Sequence, residues 1–298
     1  MEIEKILKRF RIDKPDKFRL ADYDCTDTCG LSIDKVDAKA MLADGVVRLA
    51  QMQERLYAEN RSAVLAIFQA MDAAGKDGAI AHVMSGVNPQ GCQVHAFKAP
   101  SAEELDHDFL WRIAKNVPER GRIGIFNRSH YEEVLVVRVH SELLAKQRLP
   151  SALVTKDIWE ERFKSIRHFE RHLVRNGTRV VKFFLHVSKE EQRKRFLARL
   201  DEPAKRWKFS MGDIAERKLW DKYMAAYEDM IRATSRPHAP WYVVPADHKW
   251  FARIVIAAAM GKALEDIDPQ IPKVEGEALK ELTNVRKALE AERPSAAK

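Results

Sequence analysis

The segment Gln69-Ala70-Met71-Asp72-Ala73-Ala74-Gly75-Lys76-Asp77-Gly78 has the makings of a phosphate cradle. It follows an apolar run, Val64, Leu65, Ile67 and Phe68, that reads as a buried strand of a parallel sheet, and it leads into a helical pattern. A glycine-plus-lysine turn in that position points backbone N–H groups at an anion on the helix N-terminus, and the lysine adds a point charge. The widespread pattern G-x-x-x-x-G-K-[ST] would place glycine at Ala70 and a metal-binding hydroxyl at Asp77. Neither is present, which weighs against an ordinary ATPase. The competing reading is a tight turn with a surface lysine.

Ligands of open parallel sheets sit beyond the carboxyl ends of the strands, and other charged clusters fall there. Phe126-Asn127-Arg128-Ser129-His130-Tyr131-Glu132-Glu133 follows a third strand. An arginine there suits bidentate contact with phosphate oxygens and a carboxylate suits Mg²⁺, while a solvated helix start is the alternative. His130 reads as a packed or hydrogen-bonding side chain, because phosphoryl transfer needs positioning and charge neutralisation more than a base. The basic stretch from Lys189 to Lys208 places Arg195 and Arg199 on one helical face, where a closing loop would bring them onto an oxyanion. Such charge runs are often only solvated faces. The following Trp207-Lys208, Asp213 and Trp220 favour a flexible lid that excludes water from a reactive phosphate.

The elements that must carry these residues alternate. An amphipathic helix is expected over 34–60, with Leu42, Val46, Leu49, Met52 and Leu56 on one face, then strands at 62–69 and, after the turn Asn88-Pro89-Gln90-Gly91, at 92–97. Pro100-Ser101 opens another helix, with Ser101 as its cap and Glu104 three positions on; strands follow at 122–126 and 180–187, and 239–245 reads as a loop and a fifth strand. Longer helices are expected at 156–175, 189–200, 213–232 with Asp213 as cap, and 248–264. Strand–helix alternation of this kind specifies an α/β, three-layer, doubly wound parallel sheet of five strands. Residues 1–267 are read as one domain with a lid at about 190–215, and 268–298 as a charged tail with a short helix at 275–292.

Lysine and arginine outnumber aspartate and glutamate by 52 to 44, a formal charge of +8, which suits an anionic partner without naming it. No run of about 18 apolar residues is present to span a bilayer, and Met1 to Phe10 is charged rather than signal-like, so a cytoplasmic protein with no membrane partner is expected. Cys25, Cys29 and Cys92 lack the second Cys or His pair a zinc site needs and are expected as free thiols.

Taken together, Asp72-x-x-Gly75-Lys76-Asp77-Gly78, Asn88-Pro89-x-Gly91, Phe126-Asn127-Arg128-Ser129-His130-Tyr131-Glu132, Arg206-Trp207-Lys208 with Asp213, and Ala239-Pro240-Trp241-Tyr242-Val243-x-Pro245 resemble the polyphosphate kinase 2 family over most of the chain, from about Asp22 to Leu264. The resemblance implies a P-loop kinase fold with a helical lid. It also implies Mg²⁺-dependent, reversible phosphoryl transfer between inorganic polyphosphate and nucleotides, in a dimer or tetramer. By that resemblance Asp72, Lys76, Arg128 and Glu132 are the catalytic residues, with Asp72 and Glu132 holding metal. The phosphate and polyphosphate set is Ala73, Ala74, Gly75, Lys76, Asp77, Gly78, His82, Arg193, Arg199, Arg206 and Lys208, and the nucleotide set is Asn127, Arg128 and Asp213. Many members carry aspartate where Asn127 stands and asparagine where Glu132 stands. The exchange resembles the subgroup that accepts both AMP and ADP, giving ADP and ATP. An ATP-dependent nucleoside monophosphate kinase and a non-catalytic binder of polyphosphate or nucleic acid are the alternatives, though nucleic acid is not the expected partner.

Overall fold

The computed structural model describes residues 2–31 and 35–292; the side chains of Glu2, Lys35 and Lys208 lie outside the described set, as does Asp34, the expected start of the helix at 34–60. Strand β1 (Ala63–Ala70) is buried at every residue, as a central parallel strand covered on both faces must be. It is joined by β2 (Cys92–Ala96), β3 (Ile123–Asn127), β4 (Thr178–His186) and β5 (Trp241–Pro245). The sheet has five strands in the order β2-β3-β1-β4-β5, and every pairing is parallel. The chain runs from β1 to the far edge, returns to insert β3 beside β1, and then crosses to β4. Strand order thus reverses around β1, and the crevice this opens lies at its carboxyl end, where the cradle begins.

The helices run α1 (Glu2–Phe10), α2 (Lys35–Glu59), α3 (Lys76–Val83), α4 (Ala102–Leu105), α5 (Trp111–Ala114), α6 (Val136–Val139), α7 (Ile158–Arg175), α8 (Lys189–Asp201), α9 (Met211–Lys218), α10 (Trp220–Thr234), α11 (Lys249–Glu265) and α12 (Glu277–Ala291). α2, α3 and α11 pack together on one side of the sheet, and α7 with α10 on the other, which completes the expected three layers. α2 buries Leu49, Leu56 and the polar Gln53. Gly91 sits against that glutamine, and a Cβ there would stand 1.7 Å from Gln53 Nε2, so the Asn88-Pro89-x-Gly91 motif is a point of close packing. No helix among the described residues is long and apolar enough to cross a membrane. Cys25, Cys29 and Cys92 are all free thiols, and burial pushes Cys25 up to about 12.

The structure departs from the sequence expectations at both ends of the site. Met1 to Phe10, read only as charged, contains an amphipathic helix whose Ile6, Leu7 and Phe10 are buried, with Phe10 edge-on to Phe251 at 5.7 Å. Its continuation covers the outer edge of β5, where the Ile12 N–H donates to the Trp241 carbonyl at 2.9 Å. The helix expected over 213–232 is two helices, α9 and α10, broken at Leu219. Ser210, not Asp213, is the N-cap: its Oγ accepts from the Gly212 N–H at 3.1 Å, and Asp213 closes the capping box by accepting from the Ser210 N–H at 3.3 Å.

Candidate active site

The loop after β1 turns through two left-handed residues, Ala73 at φ 60° and Gly75 at φ 104°, and Gly75 is the N-cap of α3. Glycine brings no side chain to cap the helix, so the amides of the first turn of α3 are left facing outward for an anion. Lys76, at the first helical position, folds back so that its Nζ donates to the Ala70 carbonyl at 2.9 Å. Burial, then the neighbouring Arg128, pull its pKa down, and Asp72, Glu132 and Asp77 pull it back up. The ammonium therefore stands inside the loop, 8 % exposed, as the positive floor of the cradle.

The end of β3 is brought to the same place by the sheet. Phe68 pairs with Asn127, and the Arg128 N–H donates to the Phe68 carbonyl at 3.0 Å. Arg128 then adopts a left-handed φ of 64° that turns its guanidinium towards the loop. Nη2 donates to Asp72 Oδ1 at 2.9 Å and Nη1 lies 3.8 Å from Glu132 Oε2, so one cation is shared by both carboxylates. The charge of Glu132 raises the pKa of Arg128 further above its ordinary value. Burial raises that of Glu132, and Arg128 and Lys76 offset this only in part.

Asp72, Lys76, Arg128 and Glu132 thus form one cluster. Asp77 and Asn127 meet each other instead: Asn127 Nδ2 donates to Asp77 Oδ1 at 2.8 Å, tying the start of α3 to the end of β3. Asp77 stands in the first turn of α3 with its carboxylate turned to Asn127, whose Nδ2 it engages.

The residues expected in the lid are brought less closely together. Asp213 lies near the cluster, its pKa raised by burial and then by Asp72, with Arg199 Nη1 3.8 Å from its Oδ2. Arg193 is half exposed and paired with Glu190 at 2.7 Å, Arg206 donates to the Leu200 carbonyl at 2.7 Å, and the exposed His82 donates to the Gly78 carbonyl at 2.7 Å. Arg193 and Arg206 are thus engaged away from the cradle, His82 meets it only at Gly78 one turn back on its own helix, and the side chain of Lys208 lies outside the described residues. Arg195 departs from the oxyanion-clamp expectation: its Nη1 donates to the carbonyls of Ala73 and Ala74 at 3.2 and 2.7 Å, and Nη2 to those of Ala246 and Asp247 at 2.6 and 3.1 Å. It staples the loop to the end of β5. Gln192 adds a bond from Nε2 to the Asp72 carbonyl at 2.9 Å.

Beneath the cluster lies a charged core that sequence reasoning missed. Lys182, fully buried in β4, donates to Glu170 Oε2 at 2.6 Å, to the Thr234 carbonyl at 2.9 Å and to the Tyr131 hydroxyl at 3.0 Å. Tyr131 in turn donates to Glu170 Oε1 at 2.6 Å. The turn from His130 to Val134, which carries Glu132, is anchored to α7 and β4 by this group. A lysine in the middle of the apolar run 180–187 was the available signal. His130 is buried with its Nε2 3.7 Å from Glu170, and burial lowers its pKa, which agrees with a packed histidine. Tyr223 and Tyr227 on α10, also missed, stand close enough for Glu132 and Asp72 to act on their hydroxyls.

The family model described as polyphosphate kinase 2 (PPK2) matches residues 32–272. An ADP-polyphosphate phosphotransferase of Rhodopseudomonas palustris is 52% identical over 283 residues, covering 95% of this chain and 98% of that protein. An AMP/ADP-polyphosphate phosphotransferase of Meiothermus ruber is 46% identical over 269 residues, covering 90% and 97%. The crystal structure of polyphosphate kinase 2 from Arthrobacter aurescens superposes with a TM-score of 0.85 at 43% identity, over 95% of this chain and 96% of that one. With β1, the cradle, Arg128 and Glu132 all inside the matched span, the chain belongs to the polyphosphate kinase 2 family.

Proposed function

We propose that this protein transfers the terminal phosphoryl group of inorganic polyphosphate to ADP and to AMP in the crevice between the cradle and the turn 130–134, and that the transfer is reversible. The observation that carries this reading is the Asp72–Arg128–Glu132 arrangement beside Lys76: two carboxylates share one guanidinium next to an uncapped helix start. The names of the relatives from Rhodopseudomonas palustris and Meiothermus ruber support the donor and both acceptors.

In this reading the first turn of α3 and Lys76 hold the donor phosphates, and Arg128 bridges the transferred group and the acceptor phosphate. Asp213, with Arg199 beside it, approaches from the lid side and helps exclude water. Mg²⁺ is the proposed cofactor. Its preference for a small number of carboxylates plus substrate phosphates fits Asp72 and Glu132, which offer hard oxygens but do not form a closed protein cage. When bound, the metal supplies charge neutralisation at the phosphate oxygens. Asp72 and Glu132 would hold it, while the Arg128 guanidinium, shared by the two carboxylates here, would bind phosphate oxygens.

Purified protein given AMP, polyphosphate and Mg²⁺ with no added ATP should form ADP first and then ATP. Folded protein that makes neither, or that phosphorylates AMP only when ATP replaces polyphosphate, overturns the proposal.

A further inference from the structure

Strand β1 is apolar along its buried length except at Gln69, whose side chain is fully enclosed one residue before the strand ends. An amide in such a place needs partners to offset the loss of water. Its Nε2 donates to Ser129 Oγ at 3.1 Å. Ser129, also fully buried, is the N-cap of the turn 130–134, and its Oγ accepts a second hydrogen bond from the Tyr131 N–H at 3.2 Å. The Glu132 N–H donates to the Ser129 carbonyl at 3.1 Å. A single bond from the end of β1 thus fixes the residue from which the Glu132 turn starts.

The same amide reaches the Glu132 side chain. Burial raises the pKa of Glu132, and hydrogen bonding from Gln69 works against it alongside the charges of Arg128 and Lys76. Arg128 alone holds that carboxylate loosely, with Nη1 3.8 Å from Oε2. Gln69 Oε1, by contrast, has no hydrogen-bond partner among the described residues. Turned over, the amide would press Oε1 against an anion. The observed orientation therefore gives up a partner for Oε1 and keeps both N–H groups on the side of Ser129 and Glu132, which is the choice expected if holding the carboxylate is the function of the side chain.

We propose that Gln69 is a positioning residue that aims the Glu132 carboxylate, through its N–H groups on Ser129 and on Glu132 itself, into the orientation in which Glu132 holds a divalent cation. The inference rests on Glu132 being a metal-holding residue. Groups that orient a metal-binding carboxylate restrict it to the productive rotamer before the ion arrives, and their loss lowers metal affinity although they never touch the ion. Gln69 is placed for this by the sheet: β1 and β3 run side by side, so the end of one strand stands against the turn that follows the other.

The test titrates Mn²⁺ into the protein without nucleotide or polyphosphate, followed by electron paramagnetic resonance. Gln69→Leu, and Gln69→Met as a second variant, suit an apolar strand and remove the amide. Either should weaken Mn²⁺ binding about 10–100-fold in folded protein. In a Glu132→Gln background, adding Gln69→Leu should change the residual affinity by less than about twofold, because the group it orients is already gone. Unchanged affinity in both Gln69 variants overturns the inference. So does an equal loss with and without Glu132, which a merely loosened loop would produce. Should wild type bind no Mn²⁺, the metal part of the functional proposal fails instead, and crystal structures of wild type and Gln69→Leu decide the positioning role. A Glu132 carboxylate turned away from Arg128 in the variant supports it, and one left in place overturns it.

Discussion

Arg128 donates to Asp72 across 2.9 Å, and the arginine reaches it from a left-handed backbone, φ 64°. That conformation costs a non-glycine residue on the order of 1 kcal/mol, so the contact is made against a local penalty. Arg128→Ala should lower kcat by about 10²–10³-fold, the range for removing one positioned charge from a transition state. Arg128→Gly should lose as much activity yet be more stable than the alanine variant by about 1 kcal/mol, since glycine adopts positive φ freely. Steady-state kinetics and urea unfolding read the two effects separately; equal stability of the two variants would remove the argument for strain.

With Glu132 in the role proposed for it, the direction of its pKa shift sets the sign of a pH dependence. Burial holds its pKa above the ordinary carboxylate value, and Arg128 and Lys76 pull it down. A carboxyl group with a raised pKa takes up its proton at a higher pH than usual, so a reaction needing it ionised fails earlier on acidification. kcat/KM should fall as the pH drops through that raised value. Removing Arg128 takes away a stabilising cation, so the residual activity of Arg128→Ala should lose its acidic limb at a higher pH than wild type. Glu132→Gln should be strongly impaired and its residual rate should lack that limb. A limb that stays in place in both variants assigns it to another group.

The parts of the site visible in the sequence are those set by local pattern. The cradle could be read because β1 is an unbroken apolar run that ends in a glycine-lysine turn, and Arg128 because it follows another such run. What stayed hidden depends on register and on long-range packing. Only the Phe68–Asn127 pairing shows that Asn127 meets Asp77, and only the placement of α8 against β5 shows that Arg195 faces carbonyls rather than an oxyanion. The basic stretch 189–208 looked like one functional unit, yet its arginines divide among ion pairs, a carbonyl staple and the contact with Asp213. Residue type alone carries no information on that division.

The buried Lys182–Glu170 pair, 2.6 Å apart, makes a stability prediction independent of the chemistry. Lys182→Met leaves a carboxylate buried without its cation and should cost about 3–5 kcal/mol. Combining it with Glu170→Leu should cost less than the sum of the two single changes, because no charge is then stranded. Urea denaturation of the four proteins completes the cycle. Tyr131→Phe, which keeps the ion pair but removes the hydroxyl between its partners, should lose about 1–2 kcal/mol. Simple additivity across the Lys182 and Glu170 variants would show that the pair is not coupled in the folded protein.

Arg195 offers the sharpest separation of donor from acceptor. Its guanidinium spans four carbonyls, two in the cradle and two before α11, so it fixes the loop proposed to hold the donor phosphates. Arg195→Ala frees the carbonyls of Ala73 and Ala74 and removes charge-assisted bonds each worth about 1.5–3 kcal/mol. The KM for polyphosphate should rise about tenfold or more while the KM for ADP stays near wild type. Arg195→Lys should not restore it, because a single ammonium cannot reproduce a planar fork that reaches both segments. If both KM values rise together, the staple supports the whole crevice rather than the cradle; if neither changes while stability falls, the loop holds its shape without Arg195.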